Sequence, residues 1–270
     1  MDYNDYYVRC RENYAPTSNI KLSDFYNTAV MEIPHSSFGE EYNQSINNIA
    51  EKTKEFFDTT EQDDIMLKCD DIWKYRGDLE TICGTLVPYL ESKRYGCHLY
   101  VDKVYMYRTT SLQNRQSSYL WHYDNNPLQF VKNLIYLTDV NEKNSPFEYL
   151  ADQFGNGVIA SPTRTGPEHW LPAPNNSRIP QSVIDGLKSK KGYTTKKIVG
   201  KMGLTFSFNN DTIHRVNPVE EGYRDVLNIR VRPCIKAPPN PIDPRWTTGF
   251  EKTGTADKNP IISWGGRDEL

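Results

Sequence analysis

Residues 119–124 of the chain read YLWHYD, and this stretch decides how the rest of the sequence is interpreted. On an extended strand, side chains two positions apart point to the same face. His122 and Asp124 therefore present an imidazole and a carboxylate side by side, as two ligands of a metal ion would. An H-x-D tripeptide also occurs often by chance, so the rest of the chain must supply the remaining evidence.

A third ligand is available in residues 209–215, which read NNDTIHR and follow a strand-like run. His214 lies in this segment and completes a set of two histidines and one carboxylate. Such a set on one face of a metal is the facial triad of non-haem Fe(II) oxygenases, in which the other coordination positions stay open. Arg224 follows ten residues later, where its planar guanidinium could bind the far end of a dicarboxylate bidentately.

These motifs resemble the signature of the 2-oxoglutarate/Fe(II)-dependent dioxygenases, and in particular their phytanoyl-CoA dioxygenase branch. The matching segments span about Val101 to Pro233 and read WHYD (121–124), NLIYLTDV (133–140), NSPFEY (144–149) and TIHR (212–215). The chain departs from the family at residues 150–153, which read LADQ where the family usually has a Pro-Gly-Ser-His turn. That departure concerns the lid and the substrate contacts.

The resemblance implies a mainly β fold with flanking helices (α+β), namely a double-stranded β-helix, also called a jelly-roll or cupin-like barrel. It implies Fe(II) held by His122, Asp124 and His214, with 2-oxoglutarate chelating the iron. The distal carboxylate of 2-oxoglutarate would pair with Arg224, and with the Tyr136 hydroxyl as a second partner. Tyr105 and Tyr107 are weaker candidates for that second role.

The activity that the resemblance implies is hydroxylation of a small organic substrate, with 2-oxoglutarate converted to succinate and CO2. O2 is the second co-substrate, and ascorbate is a possible reductant. Halogenating relatives have a small residue where this chain has Asp124, so halogenation is disfavoured. The prime substrate and the position oxidised do not follow from the sequence.

The pattern of apolar residues predicts two N-terminal helices followed by many short strands. Helical periodicity covers 41–60 and 78–94, and a short helix is predicted near 181–190. The predicted strands are 98–110, 130–140, 198–200, 204–208 and 225–233.

A single domain covering 1–270 is expected, because the candidate ligands and Arg224 are spread between positions 122 and 224. It would comprise an N-terminal helical flank (1–97), the barrel (98–236) and a proline-rich C-terminal strap (237–270). The barrel would carry a lid insertion at about 151–193, since a loop that long in a compact domain is usually a lid or a binding loop.

Composition narrows the class of partner. The chain has 270 residues and a formal net charge of −3, whereas a nucleic-acid-binding domain is usually basic. No apolar run reaches the roughly 18 residues of a membrane span, and residues 1–10 do not resemble a signal peptide. Five scattered cysteines without a C-x-x-C pair fit a reducing compartment, so a cytoplasmic location is expected.

The last four residues, RDEL, look like an endoplasmic-reticulum retention signal, which is taken as coincidental because no entry signal is seen. The expected partner is a small molecule, and the oligomeric state is left open.

Two other functions remain open at this point. One is a cupin-like barrel that binds a metal or a small molecule without oxygenase turnover, and the other is an oxygenase that acts on a protein side chain. Arg224 argues against the first, because a barrel that only binds a metal has no need of a dicarboxylate clamp. Trp121 is expected to pack in the barrel wall, whereas Arg215 and Lys132 could each contact an anionic substrate or close an ion pair.

Overall fold

The structure is a computed structural model that describes residues 3–14, 19–60, 67, 69–111, 119–124, 126–160 and 178–238. Within these residues the helices are α1 (Tyr3–Glu12), α2 (Leu22–Asn27), α3 (Glu40–Thr59), α4 (Cys69–Trp73), α5 (Arg76–Leu90) and α6 (Gln181–Lys191). The strands are β1 (Val30–Ile33), β2 (His98–Thr110), β3 (Val131–Tyr136), β4 (Phe147–Ala151), β5 (Thr194–Ile198), β6 (Thr205–Asn209), β7 (His214–Val216) and β8 (Tyr223–Cys234).

Helices α3 and α5 form where apolar residues recur at helical spacing. In α5 these positions are Leu79, Ile82, Leu86 and Leu90, all of which are fully buried. A single apolar face of this kind is stable only when it packs against another layer. The helix continues into one π-helical turn (Glu91–Tyr95) and stops at Gly96, whose φ of 65° suits glycine.

The larger sheet has the strand order β1-β6-β3-β8-β2, with every neighbouring pair antiparallel. Its outer face carries alternate apolar residues that pack with the helices into one core. The residues of β2 and β8 in that core are Leu99, Val101, Val104, Met106, Leu227, Ile229 and Val231.

The smaller sheet has the order β5-β4-β7 and lies against the inner face of the larger one. Phe147 on β4 packs at ring-centroid distances of 5.2 Å from Phe206 and 4.6 Å from Phe208, both on β6. Two facing antiparallel sheets with helices on the outside make a double-stranded β-helix. The predicted fold class is confirmed.

Several element predictions agree with the structure and others were wrong. The observed β2, α3 and α5 lie within a few residues of the expected segments, and the short helix near 181–190 is α6. The expected strand 130–140 is shorter in the structure: β3 ends at Tyr136, and beyond it Val140 forms only an isolated bridge with Gly200. The short elements α1, α2, α4, β1, β4 and β7 were not predicted, and β5 precedes the run expected at 198–200.

Two predicted regions fall partly beyond the described residues. Of the lid insertion, residues 151–160 and 178–193 are described, whereas 161–177 lie outside. The strap from 237 onward lies outside the described residues after 238. The domain division therefore stays a prediction. Among the described residues, no helix has the length and apolar character needed to cross a bilayer.

Candidate metal centre

The backbone brings the two ligand-bearing segments together at one isolated antiparallel bridge. The N–H of His122 donates to the carbonyl of His214, and the N–H of His214 donates back to the carbonyl of His122, both at 2.9 Å. The N–H of Asp124 bonds to the Asn210 carbonyl, also at 2.9 Å. These backbone hydrogen bonds therefore fix the positions of the Cα atoms from which the three side chains extend.

The three side chains converge on one point. One ligand atom from each of His122, Asp124 and His214 can be chosen so that all lie within 4.8 Å of one another. The Nε2 atoms of His122 and His214 lie 3.8 Å and 3.9 Å from the two oxygens of Asp124. Metal–ligand bonds to nitrogen and oxygen are about 2.0–2.2 Å, so these separations fit one shared ion. A set of two imidazoles and one carboxylate fits iron(II).

Hydrogen bonds on the far side of each ring orient the histidines. Nδ1 of His122 lies 2.7 Å from the Leu120 carbonyl oxygen, and Nδ1 of His214 lies 2.7 Å from the Thr212 carbonyl oxygen. A carbonyl can only accept, so Nδ1 carries the proton in both rings. The lone pair of each Nε2 is then directed at the shared point, as a metal ligand requires.

Burial sets the charge state of the ligands. It lowers the pKa of His214 to about 3, with the neighbouring His122 acting in the same direction. Burial lowers the pKa of His122 as well. Burial acts to raise the pKa of Asp124, but Lys132 and the two histidines outweigh it, so that pKa lies below its usual value. The histidines are neutral and the carboxylate is ionised, which are the forms that bind metal.

Aromatic side chains from the barrel interior hold the His214 ring. Phe147 stacks on it at 5.2 Å between centroids and an interplanar angle of 23°. Phe208 meets it edge-on at 5.0 Å and 60°. These contacts restrict the ring to one orientation and keep water away from that side of the centre.

A second set of contacts, here termed the outer clamp, lies behind the ligands and consists of Trp121, Glu148, Arg215 and Asn217. The buried Glu148 carboxylate accepts hydrogen bonds from Arg215 Nε at 2.6 Å and from Asn217 Nδ2 at 3.0 Å. The Arg215 guanidinium lies over the Trp121 ring, 4.6 Å from its centroid. Trp121 packs in a buried cluster with Leu150 and Ile213. Arg215 therefore closes an ion pair, and Trp121 is part of the wall.

The outer clamp acts on both ligand segments at once. Trp121 precedes His122 and Arg215 follows His214, so the stacked pair joins the two segments on the side away from the metal position. Sequence reasoning did not assign a role to Glu148. Glu148 lies in the motif at 144–149 that resembles the family. Its ion pair with Arg215 could not be read from the sequence, because it depends on the pairing of β4 with β7.

Arg224 is fully buried and faces the space between the sheets. Its Nη1 donates to the Ser145 carbonyl at 2.6 Å and its Nη2 to the Thr109 hydroxyl at 3.4 Å. Its Nε has no hydrogen-bond partner among the residues that the structure describes. A buried guanidinium with an unused donor is costly, so the site suits an added anion.

Tyr136, the second expected partner of the distal carboxylate, lies beside Arg224. Burial raises the pKa of Tyr136 to about 12, although the Arg224 charge acts to lower it. The Tyr136 hydroxyl donates to the Ile198 carbonyl at 2.8 Å and accepts from the Phe147 N–H at 3.3 Å. Its proton is already used, so in this arrangement the hydroxyl orients Arg224 and β4.

The interior face of the larger sheet can be followed as a series of rungs, each made of residues paired across β2, β8 and β3. From one end to the other the rungs are Tyr100–Arg232, Lys103–Arg230–Lys132, Tyr105–Asn228–Leu134, Tyr107–Val226–Tyr136 and Thr109–Arg224. Arg224 is thus at one end, and a group of basic residues is toward the other. Tyr105 and Tyr107 belong to the rungs between them.

Lys132 forms an ion pair in this structure, which is one of the two roles that the sequence left open. Its Nζ lies 2.6 Å from Asp124 Oδ2. The shared strand face of Lys132 and Tyr136 was visible in the sequence, but the contact with Asp124 depends on the loop that carries the H-x-D motif.

The other histidines that the structure describes, His35 and His98, do not join this group. His98 lies near Glu91, with 3.6 Å between His98 Nδ1 and Glu91 Oε1. His35 is exposed in the turn before α3, and His169 lies outside the described residues.

Comparison with known proteins supports the fold. No protein-family model matches the chain, and no curated protein matches it significantly. Among solved structures, the apoform of EctD from S. alaskensis matches with a TM-score of 0.50 and 12% identity, over 82% of this chain and 79% of that chain. The chain shares its fold.

Two further structures align less closely. The non-heme alpha ketoglutarate dependent epimerase SnoN from nogalamycin biosynthesis has a TM-score of 0.47 and 10% identity, over 85% of this chain and 84% of that chain. HygX from Streptomyces hygroscopicus has a TM-score of 0.47 and 16% identity, over 80% and 88% of the two chains.

Proposed function

We propose that the protein is an Fe(II)/2-oxoglutarate-dependent oxygenase that hydroxylates a small organic substrate. The observation that carries the proposal is the presence, inside one barrel, of two separate binding features. These are a converging His122–Asp124–His214 set and a fully buried arginine, Arg224, with an unused donor. The resemblance to the phytanoyl-CoA dioxygenase branch points to the same activity, and membership of that branch is part of the proposal.

His122, Asp124 and His214 would hold the metal on one face and leave its other face open. Bound iron(II) would supply the redox chemistry by which O2 and 2-oxoglutarate oxidise the substrate, with release of succinate and CO2. The Nδ1 bonds of both histidines and the outer clamp keep the ligands in place while co-substrates exchange. The rings of Phe147 and Phe208 exclude water on the His214 side.

Arg224 would bind the distal carboxylate of 2-oxoglutarate. The guanidinium is rigid, always charged and suited to bidentate pairing with a carboxylate. Its contacts with Ser145 and Thr109 fix its direction but do not neutralise it, because a carbonyl and a hydroxyl carry no net charge. Tyr136 would act as a positioning residue for Arg224.

A barrel that binds a metal without turnover is the second candidate, and Arg224 counts against it. A buried unneutralised guanidinium costs stability, so its presence in a site with no dicarboxylate to bind would be unexplained. Action on a protein side chain has no specific support among the described residues, so a small-molecule substrate is preferred.

The deciding experiment adds Fe(II) and 2-oxoglutarate to the protein without O2 and records the weak visible charge-transfer band of the iron–2-oxoglutarate chelate. Wild-type protein should give the band and His214→Ala should not. Arg224→Met should raise the 2-oxoglutarate concentration needed for half-maximal absorbance by at least tenfold. Arg76→Met, at an exposed position of α5, is the matched control and should behave as wild type.

Succinate formation after O2 is admitted, with ascorbate present, completes the test. A protein that binds Fe(II) but forms no chelate band with 2-oxoglutarate would be a metal-binding barrel, and the proposed function would be wrong.

A further inference from the structure

One rung of the barrel interior carries three basic side chains in a row, here termed the basic rung: Lys103, Arg230 and Lys132. Arg230 on β8 is paired in register with Lys103 on β2 and with Lys132 on β3. Lys103 and Arg230 are buried, and about a fifth of the Lys132 side chain is exposed. Like charges directly opposite one another on neighbouring strands repel, so this row destabilises the sheet unless negative charge lies among it.

Among the described residues, Asp102 and Asp124 supply negative charge to the basic rung. Asp102 accepts hydrogen bonds from both Nε and Nη2 of Arg230, the former at 2.8 Å. Asp102 also acts electrostatically on Arg232, one rung further, whose guanidinium lies over the Tyr100 ring. Asp124 is the carboxylate in contact with Lys132. The charge balance at Lys132 therefore depends on Asp124, which the proposed function assigns to the metal.

Metal binding changes this balance. A divalent cation bound by Asp124 adds two positive charges close to the Lys132 ammonium and competes with it for the negative charge of that carboxylate. The Lys132 ammonium is then less well neutralised, and an additional anionic partner becomes favourable because an under-neutralised charge in the interior is costly. The distal end of 2-oxoglutarate does not provide that partner in the proposed arrangement. It pairs with Arg224, three rungs away from the basic rung.

We propose that the basic rung binds an anionic group of the substrate, a carboxylate or a phosphate, and so restricts the enzyme to anionic small molecules. This inference rests on the proposed function, because it follows from Asp124 being a metal ligand. Lys132 exchanges its partner from Asp124 to the substrate anion, while Arg230 stays oriented by Asp102 and presents its charge from the neighbouring strand. The anion then lies next to the metal and holds the substrate at a fixed distance from it.

The test uses inorganic phosphate and acetate as probes, titrated without O2 into the protein–Fe(II)–2-oxoglutarate complex at constant ionic strength. Binding next to the iron should shift its charge-transfer band in a saturable way. In Lys132→Met the probe concentration for half-maximal shift should rise at least tenfold, with the 2-oxoglutarate affinity unchanged within threefold. Lys197→Met, on β5 and paired with Glu142, is the control and should match wild type.

Arg230 is tested together with its partner, because Arg230→Gln alone leaves Asp102 unpaired and could unfold the protein. The double variant Asp102→Asn/Arg230→Gln removes both charges and keeps similar shapes. It should fold, form the chelate band and weaken phosphate binding at least threefold.

The other possible outcomes would overturn either the anion site or the proposed function, and they can be told apart. Equal probe affinity in wild type and Lys132→Met overturns the anion site while the chelate band still supports the proposed function. A large loss of 2-oxoglutarate affinity in Lys132→Met would assign this residue to the co-substrate and also overturn the proposal. If the band never forms, the proposed function fails. Calorimetric titration of phosphate into the Co(II)-loaded protein then tests the basic rung separately.

Discussion

The two sheets of the barrel differ in strand length and in what they contribute to the core and to the candidate site. The larger sheet has the long strands β2 and β8, of 13 and 12 residues, and its outer face is sealed by α3 and α5. The smaller sheet has strands of five, five and three residues, and its shortest strand begins with His214. The larger sheet thus supplies most of the apolar core and the interior charges Arg224 and Lys132, whereas the smaller one positions the candidate metal ligand.

This difference indicates that the larger sheet mainly determines the stability of the fold, whereas the smaller sheet mainly determines the geometry of the candidate metal centre. A short strand has few contacts of its own, so its ligand must be held by neighbours on both sides. For His214 these neighbours are the aromatic rings inside the barrel and the outer clamp behind it. Substitutions in the two sheets should therefore affect different measurements.

The largest effect is expected for a ligand of the smaller sheet. His214→Ala should weaken Fe(II) or Co(II) binding by more than a hundredfold, because two ligands remain of three, while the melting temperature of the metal-free protein changes little. Calorimetry and thermal unfolding measure the two quantities. The control is His98→Ala. His98 lies on β2 of the larger sheet, near Glu91, and its replacement should leave metal affinity unchanged. Full affinity in His214→Ala would show that this residue is not a ligand.

A core substitution in the larger sheet should give the opposite result. Ile229→Ala removes a fully buried side chain between β8 and the helices and should lower the free energy of unfolding by about 2–5 kcal/mol. Metal affinity of the folded protein should stay within threefold of wild type. Denaturant unfolding and metal titration measure these, with the exposed Val183→Ala on α6 as the control. A parallel loss of metal affinity would contradict the division between the sheets.

The outer clamp should show an intermediate effect confined to the metal centre. Glu148→Gln weakens the hold on Arg215 without changing the size of the side chain, and metal affinity should fall about tenfold, as for other residues that orient ligands. Glu142→Gln, an exposed residue paired with Lys197, is the control. Unchanged affinity in Glu148→Gln would mean that the clamp only packs the wall.

The last expected effect is a pH dependence of the metal-free protein. The pKa of His214 is about 3 when folded and about 6.5 when unfolded, so the unfolded chain binds one more proton between these values. Stability should therefore fall as the pH drops below about 6.5, by up to about 1.4 kcal/mol per pH unit from this residue. His214→Gln should show a shallower slope in urea unfolding at pH 4–7. The slope should stay unchanged in His98→Ala.

Much of the fold was predictable because it depends on local patterns. The alternation in β2 and the 3.6-residue period in α3 and α5 report burial on one face directly. Tyrosine-rich α1 and three-residue β7 lack such a pattern, since the first is defined by packing on the barrel and the second by pairing with β4. The resemblance supplied the barrel, which the strand pattern alone did not specify.

The candidate site was predictable where identity and spacing carry the chemistry. His122, Asp124, His214 and Arg224 were found in this way, and the structure places the first three within reach of one ion. The contacts of Lys132, Glu148 and Arg215 were not predictable, because each joins residues from different strands or loops. The sequence therefore indicated which groups are candidate metal ligands but not which groups hold those side chains in place.

The paired hydrogen bonds between His122 and His214 also have a consequence for folding. They join segments that are far apart along the chain, and contacts of this kind form only after the intervening loops have been closed. The metal-binding geometry is therefore absent from partly folded chains that already contain α3, α5 and local hairpins. If the candidate centre binds iron as proposed, uptake of the ion would shift the folding equilibrium toward the finished barrel.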